Sequence, residues 1–206
     1  MQFIETIRVE GGAPRLLPLH QERMARTVRE VFGADALVPS LSETLQSALT
    51  IPDGNLYKCR VLYDSEIRAV ELHPYTPRKV ESLRIVEGGP NLDYHLKLTD
   101  RSLLNRLAAM RGECDAVIIL RDGLITDTSY TNLLFRGRDA LYTPRQPLLK
   151  GVMRQRLLER GEICEADLRV ADLLPGNPLG ITECILINAM MPPGAIPPVP
   201  VTQIKW

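Results

Sequence analysis

Lysine is scarce in this sequence of 206 residues: five of its 25 Lys and Arg side chains are lysine. A face built to grip nucleic acid or anionic lipid needs an excess of cations, but Asp plus Glu also number 25 and the formal net charge is zero. No global field therefore favours either partner. Cys59, Cys114, Cys164 and Cys184 are scattered, with no C-x-x-C pair and no histidine at ligand spacing. That argues against a zinc site and against a disulfide scaffold, so reduced thiols and no bound metal are expected. No apolar run is long enough to span a bilayer, and the opening residues carry no basic leader, which together predict a soluble, cytoplasmic protein. What is plentiful is apolar side chain, 45% of the total, enough to bury a core in one large domain or two small ones.

Alternation over Phe3–Val9 predicts a strand, Gly11–Pro14 a turn and Arg15–Leu19 a second short strand. From His20 the spacing turns helical, with Met24, Val28, Val31 and Phe32 on one buried face and Gly33 at the end. A second helix is expected over Ser40–Leu49, from Leu41, Leu45 and Leu49 and the capping-box pair Ser40 and Glu43. Paired strands at Tyr57–Tyr63 and Arg68–Leu72 complete an α+β unit. His73–Lys79 has two prolines and no apolar period. A boundary is expected there, with an N-terminal subdomain at residues 1–75, a linker at 76–81 and a C-terminal subdomain at 82–206. Within the latter, strands are expected at Ser82–Val86, Ala116–Leu120, Leu133–Phe135, Asp139–Tyr142, Leu168–Val170 and Thr182–Asn188. Helices are expected over Arg101–Met110 and from Lys150 to Glu159, with a helical turn at Asp172–Leu174 and a proline-rich tail after Ala189.

Two stretches carry chemistry. The first is Leu124–Phe135, where Asp127 is surrounded by Thr126, Thr128, Ser129, Thr131 and Asn132. Read as the second arm of a hairpin, it is interrupted by groups able to hold a cation or a phosphate ester, although an ordinary polar bulge gives the same pattern. The second is Lys97, between Leu96 and Leu98. Burial lowers the pKa of an amine, and a neutral amine attacks aldehydes; a snorkelling surface lysine fits the same position. A pyridoxal phosphate site needs an amine for the aldehyde, a carboxylate for the ring nitrogen, and amides with a cation for the phosphate. Lys97, Asp127, the helix start at Gly151 and Arg23 can supply these.

In that order the motifs resemble the class IV, fold-type IV family of pyridoxal-phosphate aminotransferases and lyases. Phe3–Val9 resembles the family's early strand, and Leu19-His-Gln-Glu-Arg-Met24 its His-x-x-Arg helix start, which implies that Arg23 contacts the phosphate. Lys97 with Asp100-Arg101 resembles the cofactor lysine and the pair after it. Ile125–Phe135 resembles the Thr-Glu-x-x-x-x-Asn-Leu-Phe signature, with Asp127 where a glutamate meets the ring nitrogen, and implies a cofactor contact for Asn132 at the signature asparagine. Tyr142–Arg145 followed by Leu149–Arg154 implies phosphate contacts at Gly151 and Val152; Ile187–Pro192 implies the same for Asn188 and Ala189. The resemblance further implies an α+β fold of two small α/β subdomains, in the D-amino acid aminotransferase-like architecture with the cofactor between them, a homodimer, and pyridoxal 5'-phosphate as cofactor. Family members usually open with a further strand and close with further elements, so reduced ends are expected here.

The motif wording is nearest to 4-amino-4-deoxychorismate lyase, which releases pyruvate and leaves 4-aminobenzoate; an amino-acid aminotransferase and a non-catalytic binding member are the alternatives. Arg60 is a candidate for a substrate carboxylate, a surface arginine being the other reading, and Tyr94 is a pocket candidate.

Overall fold

The computed structural model describes residues 1–48, 55–89 and 92–206. Leu49, expected as the last inward leucine of the second helix, lies outside them. The chain separates into two compact units, Met1–Thr76 with Leu96–Asp100, and Pro77–His95 with Arg101–Trp206.

In the first unit β1 (Phe3–Glu10), β2 (Ala13–Pro14), β3 (Leu56–Tyr63) and β4 (Ile67–Pro74) form a sheet in the order β2-β1-β3-β4. Gly11 and Gly12 join the first two strands with φ of 58° and 72°, the left-handed pair that a two-residue hairpin turn requires. α1 (Leu17–Phe32) and α2 (Leu41–Ala48) are the helices of this unit. The strand expected over Arg15–Leu19 does not form, because α1 already begins at Leu17. Pro18 lies in its first turn, where a missing N–H costs nothing.

Period two puts Phe3, Ile7 and Val9 on the inner side of β1, where they pack with Met24, Val28, Leu41, Leu45, Cys59, Val61 and Tyr63. The expected inner face of α1 holds for Met24 and Val28 but not at its end: Val31 and Phe32 are 36% and 40% exposed. Phe32 still sets its ring edge-on to Phe3, with centroids 6.4 Å apart. The buried stripe instead runs through His20, Arg23, Met24, Thr27 and Val28, at helical spacing but largely polar.

Residues 96–100 return to the first unit. Leu96 and Leu98 pack on its core, and Phe3 bridges to Leu98.

The second unit holds two sheets. One has the order β13-β5-β6-β7, from β5 (Leu83–Glu87), β6 (Ala116–Arg121), β7 (Leu124–Ile125) and β13 (Ile204–Lys205). The other has the order β10-β9-β8-β11-β12, from β8 (Asn132–Arg136), β9 (Leu141–Pro144), β10 (Cys164–Ala166), β11 (Glu183–Ile187) and β12 (Val199–Pro200). The helices are α3 (Ser102–Ala109) and α4 (Val152–Glu159).

The Asp127 stretch is therefore not one interrupted hairpin arm. Asp122 and Gly123, at φ 54° and 71°, turn β6 back into β7, and the chain then leaves for the second sheet as β8. Leu168–Val170 is not a strand either. The Asp172 carboxylate accepts from the Arg169 N–H at 2.8 Å and winds Val170–Leu173 into a 3-10 turn. The expected proline-rich tail is built into the fold: β12 pairs with β11, and β13 runs parallel to β5. Buried Val199 and Ile204 anchor it, while Pro200 sits on an edge strand that needs no further donor.

Candidate functional site

Chemically distinctive groups occur in both units. In the first, Glu5 lies on the apolar side of β1 and is fully buried, which is tolerable only with a partner. α1 supplies two. Arg23 grips the carboxylate with both ends of its fork, Nε at 2.9 Å and Nη2 at 2.5 Å, and His20 Nδ1 lies 2.6 Å from Oε2. Burial alone would raise the Glu5 pKa, but Arg23 and His20 outweigh it and hold it down to about 2. Burial also lowers the pKa of His20, against the pull of Glu5, with the charges of Arg23 and Lys97 adding to the effect. Neutral His20 must then give its Nδ1 proton to Glu5, since a carboxylate only accepts. Its buried Nε2 has no hydrogen-bond partner among the described residues.

Lys97 is half-buried, and its backbone is pinned from several directions. The Leu98 N–H donates to the Leu96 carbonyl at 3.0 Å, closing a three-residue turn centred on Lys97. The Ile4 N–H donates to the Lys97 carbonyl at 3.0 Å, and Thr99 N–H to that of Gln2 at 2.9 Å. Arg60, on β3, is paired with Glu71 at 2.5 Å, both side chains about one-third exposed at 36% and 35%.

In the second unit, Thr126, Asp127, Thr128, Ser129, Thr131 and Asn132 are all buried. Backbone pairing with Ile119 holds the approach, Thr126 N–H to its carbonyl at 3.0 Å and its N–H to the Asp127 carbonyl at 2.8 Å. Thr128 Oγ1 then accepts from the N–H groups of Tyr130 and Thr131, at 3.2 and 2.9 Å, and shapes the turn into β8. Arg101 Nη2 braces that turn by donating to the Ser129 carbonyl at 2.6 Å.

Asp127 accepts from Asn132 Nδ2 at 2.8 Å and from the Leu149 N–H at 2.9 Å. Burial raises its pKa to about 6, despite those donors and the charge of Arg154. Gly151 is the N-cap of α4, and among the described residues no side chain caps that end, so the first amides of the helix are available to an anion. A Cβ at Gly151 would lie 2.0 Å from Asn132 Oδ1, so only glycine fits this close approach. Asn188 turns the chain after β11, its Oδ1 accepting from the N–H groups of Met190 and Met191, both at 2.9 Å. Its Nδ2 donates to the Tyr130 carbonyl at 3.2 Å. Val152 and Tyr94 are buried and Ala189 is half-buried.

The second unit thus brings Asp127, Asn132 and the approach to Gly151 and Val152 together, with Asn188 tied to the same loop. Lys97 and Arg23 belong to the first unit, as does Arg60. Sequence reading missed Glu5, the Leu149 peptide and Arg154. Glu5 was detectable as a carboxylate in register with Phe3, Ile7 and Val9. Arg154, buried, donates to the Pro144 carbonyl at 2.8 Å and to Glu165 at 2.5 Å; nothing in its helical position distinguishes it from the exposed arginines nearby.

Within the second unit, a buried carboxylate that forms no salt bridge among the described residues lies beside a helix start whose glycine packs against Asn132, groups suited to a cationic ring nitrogen and to an anion respectively. The family profile "Amino-transferase class IV" matches residues 2–199. The chain belongs to this family of pyridoxal-phosphate-dependent enzymes, and is a lyase or an aminotransferase of that class. It is 34% identical over 188 residues to an uncharacterized protein of Haemophilus influenzae, covering 91% of this chain and 97% of that one. A solved "putative 4-amino-4-deoxychorismate lyase" of Haemophilus somnus is 32% identical with a TM-score of 0.83, covering 92% of this chain and 96% of that chain. A hypothetical aminotransferase of Mycobacterium tuberculosis in its PLP-bound form shares the fold, at 19% identity and a TM-score of 0.76, covering 98% and 81% of the two chains. Among the described residues no helix is long and apolar enough to cross a membrane.

Proposed function

We propose that the chain is a 4-amino-4-deoxychorismate lyase-like enzyme, releasing pyruvate from an amino-bearing cyclohexadiene and leaving 4-aminobenzoate. The observation that carries this reading is the 32% identity across 92% of the chain to the Haemophilus somnus protein of that description. Aminotransferases at lower identity share the fold and do not favour transfer over elimination.

In this reading Lys97 carries the cofactor, Asp127 holds a proton on its ring nitrogen, and Arg23 with the backbone at Gly151, Val152, Asn188 and Ala189 serves its phosphate. When bound, the cofactor draws electron density from the substrate carbon that bears the amine. Lys97 Nζ takes the proton from that carbon. The enolpyruvyl oxygen leaves the neighbouring carbon with the electron pair of the C–O bond, the methylene carbon of the released enolpyruvate gains one proton to give pyruvate, and the ring, having lost one proton and this group, becomes aromatic. Glu5 holds the Arg23 fork in one orientation, so the guanidinium meets an anion without having to be ordered first. Arg60 is the proposed contact for a substrate carboxylate, which must compete with or share Glu71. Tyr94 is proposed as a wall of the same pocket. A homodimer is the assembly proposed for the working enzyme.

The test is direct. Purified protein given pyridoxal phosphate should develop a visible absorption band, and borohydride should fix the added mass on the peptide containing Lys97. Aminodeoxychorismate should then yield pyruvate, read through lactate dehydrogenase. A band with no pyruvate, but with keto acid formed from an amino acid, would replace the lyase by an aminotransferase. The same band in Lys97→Ala would remove the lysine assignment.

A further inference from the structure

Asn132 joins two places that the family reading treats separately. It opens β8, whose pairing with β11 sets Asn132 opposite Ile187, and it is buried. One Nδ2 hydrogen goes to Asp127 Oδ1 at 2.8 Å and the other to the Leu149 carbonyl, also at 2.8 Å. The Leu149 N–H returns to Asp127 Oδ2 at 2.9 Å. These three bonds close a ring through the Asp127 carboxylate, the Leu149 residue and the Asn132 amide, and use both backbone polar groups of Leu149. Two residues later Gly151 passes so near Asn132 Oδ1 that a Cβ there would lie 2.0 Å away. The amide therefore grips the segment leading into α4 at two points, by hydrogen bond at Leu149 and by contact at Gly151.

We propose that Asn132 is a positioning residue, a latch that holds Leu149–Gly151 against Asp127 so that one side chain sets the carboxylate and the first amides of α4 in register. This rests on the reading above, in which Asp127 serves the cofactor ring and α4 its phosphate. The amide has no hydrogen left for the cofactor, so it acts through its neighbours. The rigid β8–β11 pair is the reference on which both ends are set. Displacing Asn132 disturbs both ends together. A helix start that has lost its latch must be ordered by the phosphate at the moment of binding, which weakens the complex.

The variants are Asn132→Ala, Asn132→Asp, Gly151→Ala and the double variant Asn132→Ala with Gly151→Ala. In cofactor-free protein, Asn132→Ala should speed amide hydrogen exchange at residues 150–153. It should also raise the pH at which the Asp127 carboxyl titrates by carbon-13 NMR, because a donor to the ionised form is gone. A residue that merely fills space would not move that titration. Affinity for pyridoxal phosphate should fall about tenfold, the scale of one lost net hydrogen bond, and affinity for inorganic phosphate alone should fall with it. Asn132→Asp, which removes the donor and sets a second carboxylate beside Asp127, should be worse.

Gly151→Ala should reproduce the losses by pushing the amide aside, yet add little on top of Asn132→Ala. If Asn132→Ala unfolds, Asn132→Ser, which retains a donor, takes its place with a smaller effect. Unchanged exchange and phosphate affinity in Asn132→Ala, or losses that multiply in the double variant, would overturn the latch. Exchange and titration that shift while no variant, nor the wild type, binds pyridoxal phosphate would uphold the latch and remove the proposed function instead.

Discussion

Replacing Asp127 by Asn should change how the stability of the cofactor-free protein depends on pH, and the sign follows from burial. The Asp127 carboxyl is 4% exposed and its pKa is raised to about 6 from 3.8. A carboxyl with a raised folded pKa binds its proton more tightly folded than unfolded, so its ionisation destabilises the fold. The shift corresponds to about 3 kcal/mol at 1.36 kcal/mol per unit. That penalty is absent below the unfolded value near 4, grows as pH rises toward 6, and is complete by about pH 7.

His20 and Glu5 titrate in neighbouring windows with the opposite effect, so wild-type stability alone does not isolate Asp127. The difference between Asp127→Asn and wild type does, because the other groups cancel. Urea unfolding from pH 4 to pH 8 should show that difference moving in favour of the variant by about 3 kcal/mol as pH rises, whatever its offset at pH 4. Saturating pyridoxal phosphate should erase most of the trend in the wild type, since a cationic partner relieves the buried charge. A difference that is flat with pH, or that moves against the variant as pH rises, would refute the view that Asp127 waits in the fold as an uncompensated charge.

Three further outcomes are expected. Glu5→Gln should cost about 3–5 kcal/mol in denaturant melts at pH 7, because it removes the charged partner from the buried Glu5–Arg23 pair. In the wild type the Glu5 contribution, full above pH 4.5, should drain away as pH falls toward its folded value of about 2. Arg154→Met should lower stability by about 2 kcal/mol through its lost bonds to Pro144 and Glu165, and should raise the titration of Asp127 by carbon-13 NMR, since that arginine helps to hold it down. Leu16 precedes α1 at φ 57°, a left-handed conformation costly for a branched side chain. Leu16→Gly should therefore raise the unfolding free energy by up to about 1 kcal/mol in denaturant melts, and a loss of stability would show that the left-handed conformation carries no net strain.

Much of the frame was legible where local physics decides. Pairs of positive-φ residues ending in glycine, Gly11-Gly12 and Asp122-Gly123, mark the hairpins, and period two sorts β1 correctly. Legibility failed where a pattern has two physical uses. Pro18 lacks an N–H, which suits both a strand edge and a first helical turn, and only the tertiary setting chose the helix. Asn132 sits at a signature asparagine, and sequence does not show that its two amide hydrogens go to Asp127 and Leu149. That pairing depends on where Leu149 returns in space, 17 residues along the chain. The return of Leu96–Asp100 to the first unit is non-local in the same way: the bridge from Phe3 to Leu98 joins residues that no local window sees together.

The two buried carboxylates show how similar burial yields opposite chemistry. Each is buried at an element that carries site residues, and each accepts more than one hydrogen bond. Glu5 receives a guanidinium and is charged down to about pH 2, whereas Asp127 receives an amide and a peptide N–H and titrates near 6. Neutral dipoles do not repay the hydration a carboxylate loses on burial; a formal cation does. Arg154 lowers the Asp127 pKa by its charge without forming a salt bridge to it, whereas Arg23 is in direct contact with Glu5. In the proposed function a protonated pyridine ring meets the demand for positive charge at Asp127, and the free energy released there on binding is the part of cofactor affinity that the resting protein holds in reserve.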